Sequence, residues 1–339
     1  MPTAARGSSR PGIKEVAALA GVSWKTVTNV VHERPNVRPE TRQRVLDAID
    51  KLGYRPNLIG RNLATGRTGA IALSVPDLTQ PYFSMLAHEV IKESKRRGLV
   101  ALIDESFGDP AHELSVISGL LSHQVDGVII STLMLENEQL PTGPPPTPVV
   151  LLGERASSDI LDHVGVDSVA SEADATAQLM ELGRTKLAFV GLQAGGLGVG
   201  ALRYKGFRKA IADHGGVCDP RLIKTTPEYS RIVGYDATKS LLTQGVSFDG
   251  LVCGNDLLAI GALSCLAEHG VRVPEDVAVI GWDGIPEGAF SNPVLSTVVP
   301  DVAEIAAKAL DKLIMRIEGD KSAARDITAG YELLLRGST

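Results

Sequence analysis

Apolar positions recur along this chain with two different periods, and the change from one to the other divides it. Over Ile13 to Ala20, the residues Ile13, Val16, Ala17, Leu19 and Ala20 fall at helical spacing. Gly21 then offers a stop, because glycine adopts the left-handed backbone of a helix end at little cost. Ser23 can cap a second helix. Along that helix, at about 100° per residue, Val27, Val30 and Val31 cluster on one side, while Lys25, Thr28, Asn29 and His32 share the opposite arc. Helix, short glycine turn, helix is the pattern of a helix-turn-helix. A third helix is expected from Pro39, a residue suited to a first helical turn, with a stripe of Val45, Ile49 and Leu52 and a stop at Gly53. After Tyr54-Arg55-Pro56-Asn57, the segment Leu58 to Ala64 has helical character but is too short to be stable alone.

From Ala70 the pattern changes. Short apolar runs at 70–75, 100–104, 127–131 and 149–152 alternate with helical patterns at 85–97 and 113–122. The alternation restarts with helical patterns at 173–182, 204–214, 234–244 and 257–269 and apolar runs at 187–191, 250–253 and 277–282. This predicts right-handed β-α-β units on parallel sheets, arranged as two α/β lobes. A long helix is expected over Val302 to Ile317 and a strand over Tyr331 to Leu335, with no apolar heptads beyond it for a tetramer-forming tail.

Charge sharpens the division. The net charge of −6 combines 12 Lys/Arg against 5 Asp/Glu in residues 1–69 with 22 against 35 in the remainder. Only the first part is basic, and phosphate neutralisation supplies most non-specific affinity for DNA. Met1 to Arg10 lead into no apolar stretch and do not make a secretory signal, and no apolar run is long enough to span a bilayer. A cytoplasmic protein without membrane association is therefore expected. Cys218, Cys253 and Cys265 are too scattered for a disulfide framework or a structural zinc site, and the isolated histidines have no metal spacing. No metal, cofactor or catalytic residue is expected.

Candidate chemistry follows from both halves. In the second helix Trp24 begins the polar arc, Lys25 can donate to guanine, Asn29 can pair with an adenine edge, and Thr28 can touch a base or a phosphate. Arg38, Arg42 and Arg44 are expected along the phosphates. Ser23, His32, Tyr54 and Asn57 complete the expected contacts of the folded head. In open α/β sheets, ligands bind beyond the carboxyl ends of the strands. Asp77, Phe83, Ser131, Arg203, Asn255 and Asp283 follow such ends, and Phe83 or Tyr229 could stack on a sugar ring. The string Gly196-Leu197-Gly198-Val199-Gly200-Ala201 superficially suits a dinucleotide fold, but no suitably spaced acid and no catalytic group accompanies it. The more serious alternative is a periplasmic-type sugar-binding protein without DNA binding, against which the basic head and the missing signal argue.

The head run Ile13 to Ala17, Ala20-Gly21-Val22-Ser23, Thr26 to Val31, Thr41-Arg42 and Tyr54 to Asn57 resembles the LacI/GalR family of bacterial repressors. The resemblance continues through Asp77 to Phe83, Asp126 to Ile130, Val164 to Asp167, Gly254-Asn255-Asp256, Gly281-Trp282-Asp283 and Pro293 to Val298, covering nearly all of the chain after Gly12. It implies an all-α helix-turn-helix head plus hinge helix, joined to a two-lobed α/β sensor like a periplasmic binding protein, with parallel sheets. It further implies a homodimer on a pseudo-palindromic operator, a small sugar-like effector, and Leu63 as an apolar wedge in the minor groove. Arg203, Asn255 and Asp283 match effector-contacting positions most directly. The expected division is an extension at 1–11, the helix-turn-helix at 12–56, hinge helix and linker at 57–69, and an effector and dimerisation domain at 70–339. Within that domain, lobe one takes about 70–167 and 299–325, and lobe two about 168–298 and 326–336. Gly12 and Arg38 stand where capping threonine and serine are usual. Thr28, Asn29 and His32 replace the common serine, arginine and asparagine, so the operator does not transfer. Gly153, followed by Glu154 and Arg155, stands where several members have an aspartate, leaving Glu154 as the substitute contact.

Overall fold

A computed structural model of the chain describes residues 11–31, 34–54, 67–132, 135, 137–153, 158–193 and 198–339. It separates into two compact units, Met1–Thr68 and Gly69–Thr339. The first contains helices α1 (Ile13–Ala20), α2 (Trp24–Val31) and α3 (Pro39–Leu52). Gly12, lacking a capping side chain, donates its backbone N–H to Glu15 Oε2 at 3.0 Å. Gly21 ends α1 at φ 62° and Gly53 ends α3 at φ 60°, the left-handed stops the sequence predicts. Val16, Val27 and Val45 are fully buried, one from each helix, and Ala17, Ala20, Val30 and Ala48 fill the space between them. Leu19, expected in the buried stripe, is exposed, because among the described residues α2 and α3 close over the edge of α1 formed by Val16, Ala17 and Ala20.

The second unit holds two six-stranded sheets. The first is parallel throughout, in the order β11-β5-β4-β3-β1-β2, with β1 (Ala70–Val75), β2 (Val100–Glu105), β3 (Gly127–Ser131), β4 (Val149–Leu152), β5 (Asp162–Val166) and β11 (Asp326–Ala329). The second runs β12-β10-β9-β8-β6-β7, with β6 (Leu187–Leu192), β7 (Ile223–Thr225), β8 (Gly250–Cys253), β9 (Ala278–Trp282), β10 (Ser296–Pro300) and β12 (Tyr331–Leu334). In it β12 pairs antiparallel with β10, a departure from the expected all-parallel sheet. The central strands β3, β4, β8 and β9 are buried along their whole length, which is why they read as uninterrupted apolar runs.

The helices of this unit include α4 (Pro81–Arg96), α5 (Pro110–Ile117), α6 (Ser168–Glu181), α7 (Val199–Asp213), α8 (Arg231–Thr243), α9 (Asp256–Glu268) and α10 (Val302–Ile317). Several begin about a turn before the apolar pattern does, because their first turns are polar caps. Asp109 accepts from Ala111 N–H, and Asp167 accepts from Val169 and Ala170 N–H. On the first sheet α10 packs so closely that a Cβ on Gly127 would lie 2.7 Å from Leu313 Cδ1.

The expected lobe boundaries need correction near the end of the chain. Asp326–Ala329 belongs to the first sheet, beside β5, and only from Tyr331 does the chain join the second; Val299 and Pro300 are likewise in the second sheet. The crossings lie side by side, with Asp301 N–H donating to Gly330 O at 2.9 Å and Gly330 N–H donating to Glu304 Oε2 at 2.6 Å. Hydrophobic alternation marks a strand without saying which sheet it joins, so a switch across a single glycine was not visible in it.

Candidate functional site

In the head, α2 presents two faces. Val27 and Val30 are buried, whereas Lys25 is exposed and Thr28 and Asn29 are partly so. Ser23 Oγ accepts from Thr26 N–H at 3.1 Å and lies 2.9 Å from Thr26 Oγ1, which fixes the first turn. Trp24 stands at that turn with 55% of its surface exposed, a large apolar side chain with little to pack against. Thr28 donates its hydroxyl to Trp24 O at 3.0 Å, which commits that proton to the helix backbone. Arg42 donates to Arg34 O at 2.6 Å, anchoring the α2–α3 connection, and Tyr54 packs on the head core. His32, Asn57 and Leu63, with the rest of the hinge segment 57–66, lie outside the described residues, as does Glu154.

In the body, three predicted residues come together beyond the ends of the adjacent strands β6, β8 and β9. Asn255 Nδ2 donates to Asp283 Oδ2 at 3.2 Å, while its Oδ1 caps α9 by accepting from Leu258 N–H at 3.0 Å. Arg203, on the second turn of α7 and 4% exposed, donates to Gly254 O and sits 3.9 Å from Asp283 Oδ1. Asp283 has φ 118°, a region that side chains other than glycine rarely adopt. Its N–H donates to Val298 O, so neighbouring β10 helps hold the strained backbone. A buried guanidinium 3.9 Å from a carboxylate that is itself hydrogen-bonded to an amide suits a neutral polyhydroxyl ligand, which needs donors and acceptors together.

The other predicted residues are used differently. Tyr229 donates to Gly191 O at 2.7 Å. A Cβ on Gly200 or Gly254 would lie within 2.7 or 2.8 Å of its hydroxyl, so the tyrosine braces the strand ends that carry Arg203 and Asn255. That contact also accounts for Gly200 of the dinucleotide-like string. Gly200 N–H donates to Gln193 Oε1 at 3.2 Å, and a Cβ on Gly200 would sit 2.2 Å from Gly191 O, so close packing requires the glycine without any phosphate. Asp77 accepts from Thr79 N–H and Thr79 Oγ1 at 2.8 and 2.6 Å, a turn-stabilising role. Ser131 is buried at the end of β3. Phe83 packs in the main apolar cluster, edge-on to Tyr82.

Two residues escaped residue-by-residue reading. Trp282 lies under Arg203, with the guanidinium carbon 3.6 Å from its ring centroid. Asp256 is fully buried, accepting from Thr297 Oγ1 at 2.6 Å and Ile285 N–H at 2.8 Å, and burial pushes its carboxyl up to about 7. Both sit beside predicted residues, but only tertiary packing shows what they touch. A separate cavity of about 710 Å³ opens where α4 meets the chain crossings, beside Met85, His88, Asp301 and Tyr331, and none of the predicted residues lines it.

Residues 12–57 match the family described as bacterial regulatory proteins, lacI family, and residues 176–339 match the periplasmic binding protein-like domain. The chain is 32% identical over 337 residues to the HTH-type transcriptional repressor PurR of Haemophilus influenzae, covering 96% of this chain and 98% of that protein. It belongs to the lacI family. As a member it is a sequence-specific DNA-binding transcription regulator and not an enzyme. Among solved structures, it is similar to a transcriptional regulator of the LacI family from Sanguibacter keddieii, with TM-score 0.73 and 35% identity over 80% of this chain and 99% of that one. It is also similar to the transcriptional regulator CelR in complex with cellobiose, with TM-score 0.73 and 27% identity over 97% of this chain and 100% of the other. No helix among the described residues is long and apolar enough to cross a membrane.

Proposed function

We propose that this lacI-family regulator is a cytoplasmic repressor that binds a pseudo-palindromic operator as a homodimer and is released or retained by a small sugar-like effector held at Arg203, Asn255 and Asp283. The observation that carries the effector site is the meeting of these buried polar side chains at the ends of three adjacent strands, with the strained backbone at Asp283 among them. The similarity to CelR, which is seen with cellobiose, supports a carbohydrate as the ligand class. Lys25, Thr28 and Asn29 are the base-reading candidates, with Trp24 beside them. Ser23, Arg42 and Tyr54 hold the head or the phosphates, while His32, Asn57 and the Leu63 wedge are carried by the family resemblance.

A second copy of the chain is supported by apolar side chains that a soluble monomer would leave in water. Phe107 is 81% exposed at the end of the edge strand β2, and Ile232 and Phe290 are 69% and 89% exposed on the second lobe. The test is selection of bound operator from genomic fragments, followed by carbohydrate titration of the complex. Arg203→Ala and Asp283→Ala should keep operator binding and lose the response. Absence of preference for any duplex over random competitor, across ionic strengths and with or without carbohydrates, would refute the proposal.

A further inference from the structure

Resting on the reading of Arg203 as an effector contact, we infer that Trp282 is a positioning residue, whose indole face holds the Arg203 guanidinium in its ligand-ready plane and whose own N–H is fixed by Ser171. The guanidinium carbon lies 3.6 Å from the ring centroid, so the two planar groups are in face contact. Trp282 is 1% exposed and Arg203 4%, which keeps water from competing for the cation. Trp282 Nε1–H donates to the buried Ser171 Oγ at 3.2 Å, tying the ring to α6.

The geometry does something a carboxylate partner could not. All five N–H donors of arginine lie in the guanidinium plane. Contact over a face therefore anchors the group without consuming a donor, whereas a carboxylate in the same place would occupy two. Nη1 donates to Gly254 O and lies 3.9 Å from Asp283 Oδ1, so the ring fixes the plane in which the guanidinium faces Asp283 and a hydroxyl-bearing ligand beside it. A long flexible side chain held in one rotamer before binding also loses less entropy when the ligand arrives. The same residue precedes Asp283, so anchoring its indole fixes the start of the strained turn as well.

The test uses the full chain carrying Trp24→Phe, which leaves Trp282 as its only tryptophan. Into it are placed Trp282→Phe, which keeps a ring face, Trp282→Leu, which does not, and Ser171→Ala. Cellobiose is the calorimetric probe, and NMR of arginine-labelled protein follows the Arg203 δ-methylene, identified by its loss in Arg203→Lys and shifted upfield by the ring beneath it. Trp282→Leu should abolish that upfield shift and weaken cellobiose about tenfold, whereas Trp282→Phe should retain the shift and bind within about threefold. Ser171→Ala should move both the indole N–H resonance and the Arg203 signal. Equal losses in the Phe and Leu variants, or an Arg203 signal indifferent to Ser171→Ala, would overturn the inference; the second arm decides if the Leu variant does not fold. If the parent binds no cellobiose, that carbohydrate is excluded as effector, and the NMR comparison still decides whether Trp282 positions Arg203.

Discussion

Asp256 should make the body of this protein less stable as pH rises towards neutrality, a trend opposite to that of most carboxylates. Its side chain is fully buried, and desolvation pushes its carboxyl from the usual 3.8 up to about 7, against the lowering effect of hydrogen bonds from Thr297 Oγ1 and the Ile285 and Gly284 backbone and of the Arg203 charge. The folded state thus binds this proton more tightly than the unfolded chain does. The associated stability is complete below about pH 4, falls as pH rises through the interval to about 7, and is level beyond it. At about 1.4 kcal/mol per pH unit, the charged form costs on the order of 4 kcal/mol relative to the neutral one. Asp256→Asn removes the titration while keeping the shape, since the amide can accept from Ile285 N–H and donate to Thr297 Oγ1. Urea unfolding followed by Trp282 fluorescence in a Trp24→Phe background, at pH values between 4.5 and 8, should show the variant gaining on the parent by several kcal/mol across that range. Any constant offset reports the exchanged hydrogen bonds. Parallel stability curves for the two proteins would refute the reasoning.

Val27→Ala removes two carbons from a fully buried position in a seven-residue core and should destabilise the head by about 2 kcal/mol, seen as lost operator affinity with the body's urea transition unchanged. Lys25→Ala should reduce discrimination between operator and a base-substituted site by about 1–3 kcal/mol, measured as a ratio of affinities at fixed salt. Asp162 is buried and accepts from Arg316 Nε at 2.7 Å and Arg325 N–H at 3.0 Å, while Arg316 also donates to the Asp320, Ser322 and Ala323 carbonyls, so Asp162→Ala removes two acceptor contacts without stranding the guanidinium and should cost the body about 1–3 kcal/mol in urea titration.

Local rules carried the sequence reading far. The glycine stops at Gly21 and Gly53, the valines facing the head core and the uninterrupted apolar strands all depend on backbone preference and side-chain period, which a linear chain displays. Arg203, Asn255 and Asp283 were legible for a related reason: strand ends can be counted along the chain, and in a parallel sheet they converge by construction. Family likeness then distinguished these three from other polar loop residues.

Tertiary packing decided what contact between distant segments alone could decide. Phe83 and Trp282 are both aromatic residues near strand ends and both join the main core, yet Trp282 also lies beneath a guanidinium 79 positions away. Asp256 follows Asn255 directly, but its acidity is set by burial against Thr297 and Ile285, and the lobe switch at Gly330 depends on hydrogen bonds with Asp301 and Glu304. By itself the amino-acid order determined which segments become helix or strand and which polar groups stand at their ends. Burial and neighbours across the sheets determined what those groups are worth, because desolvation and short-range contact act through space and leave no period along the chain.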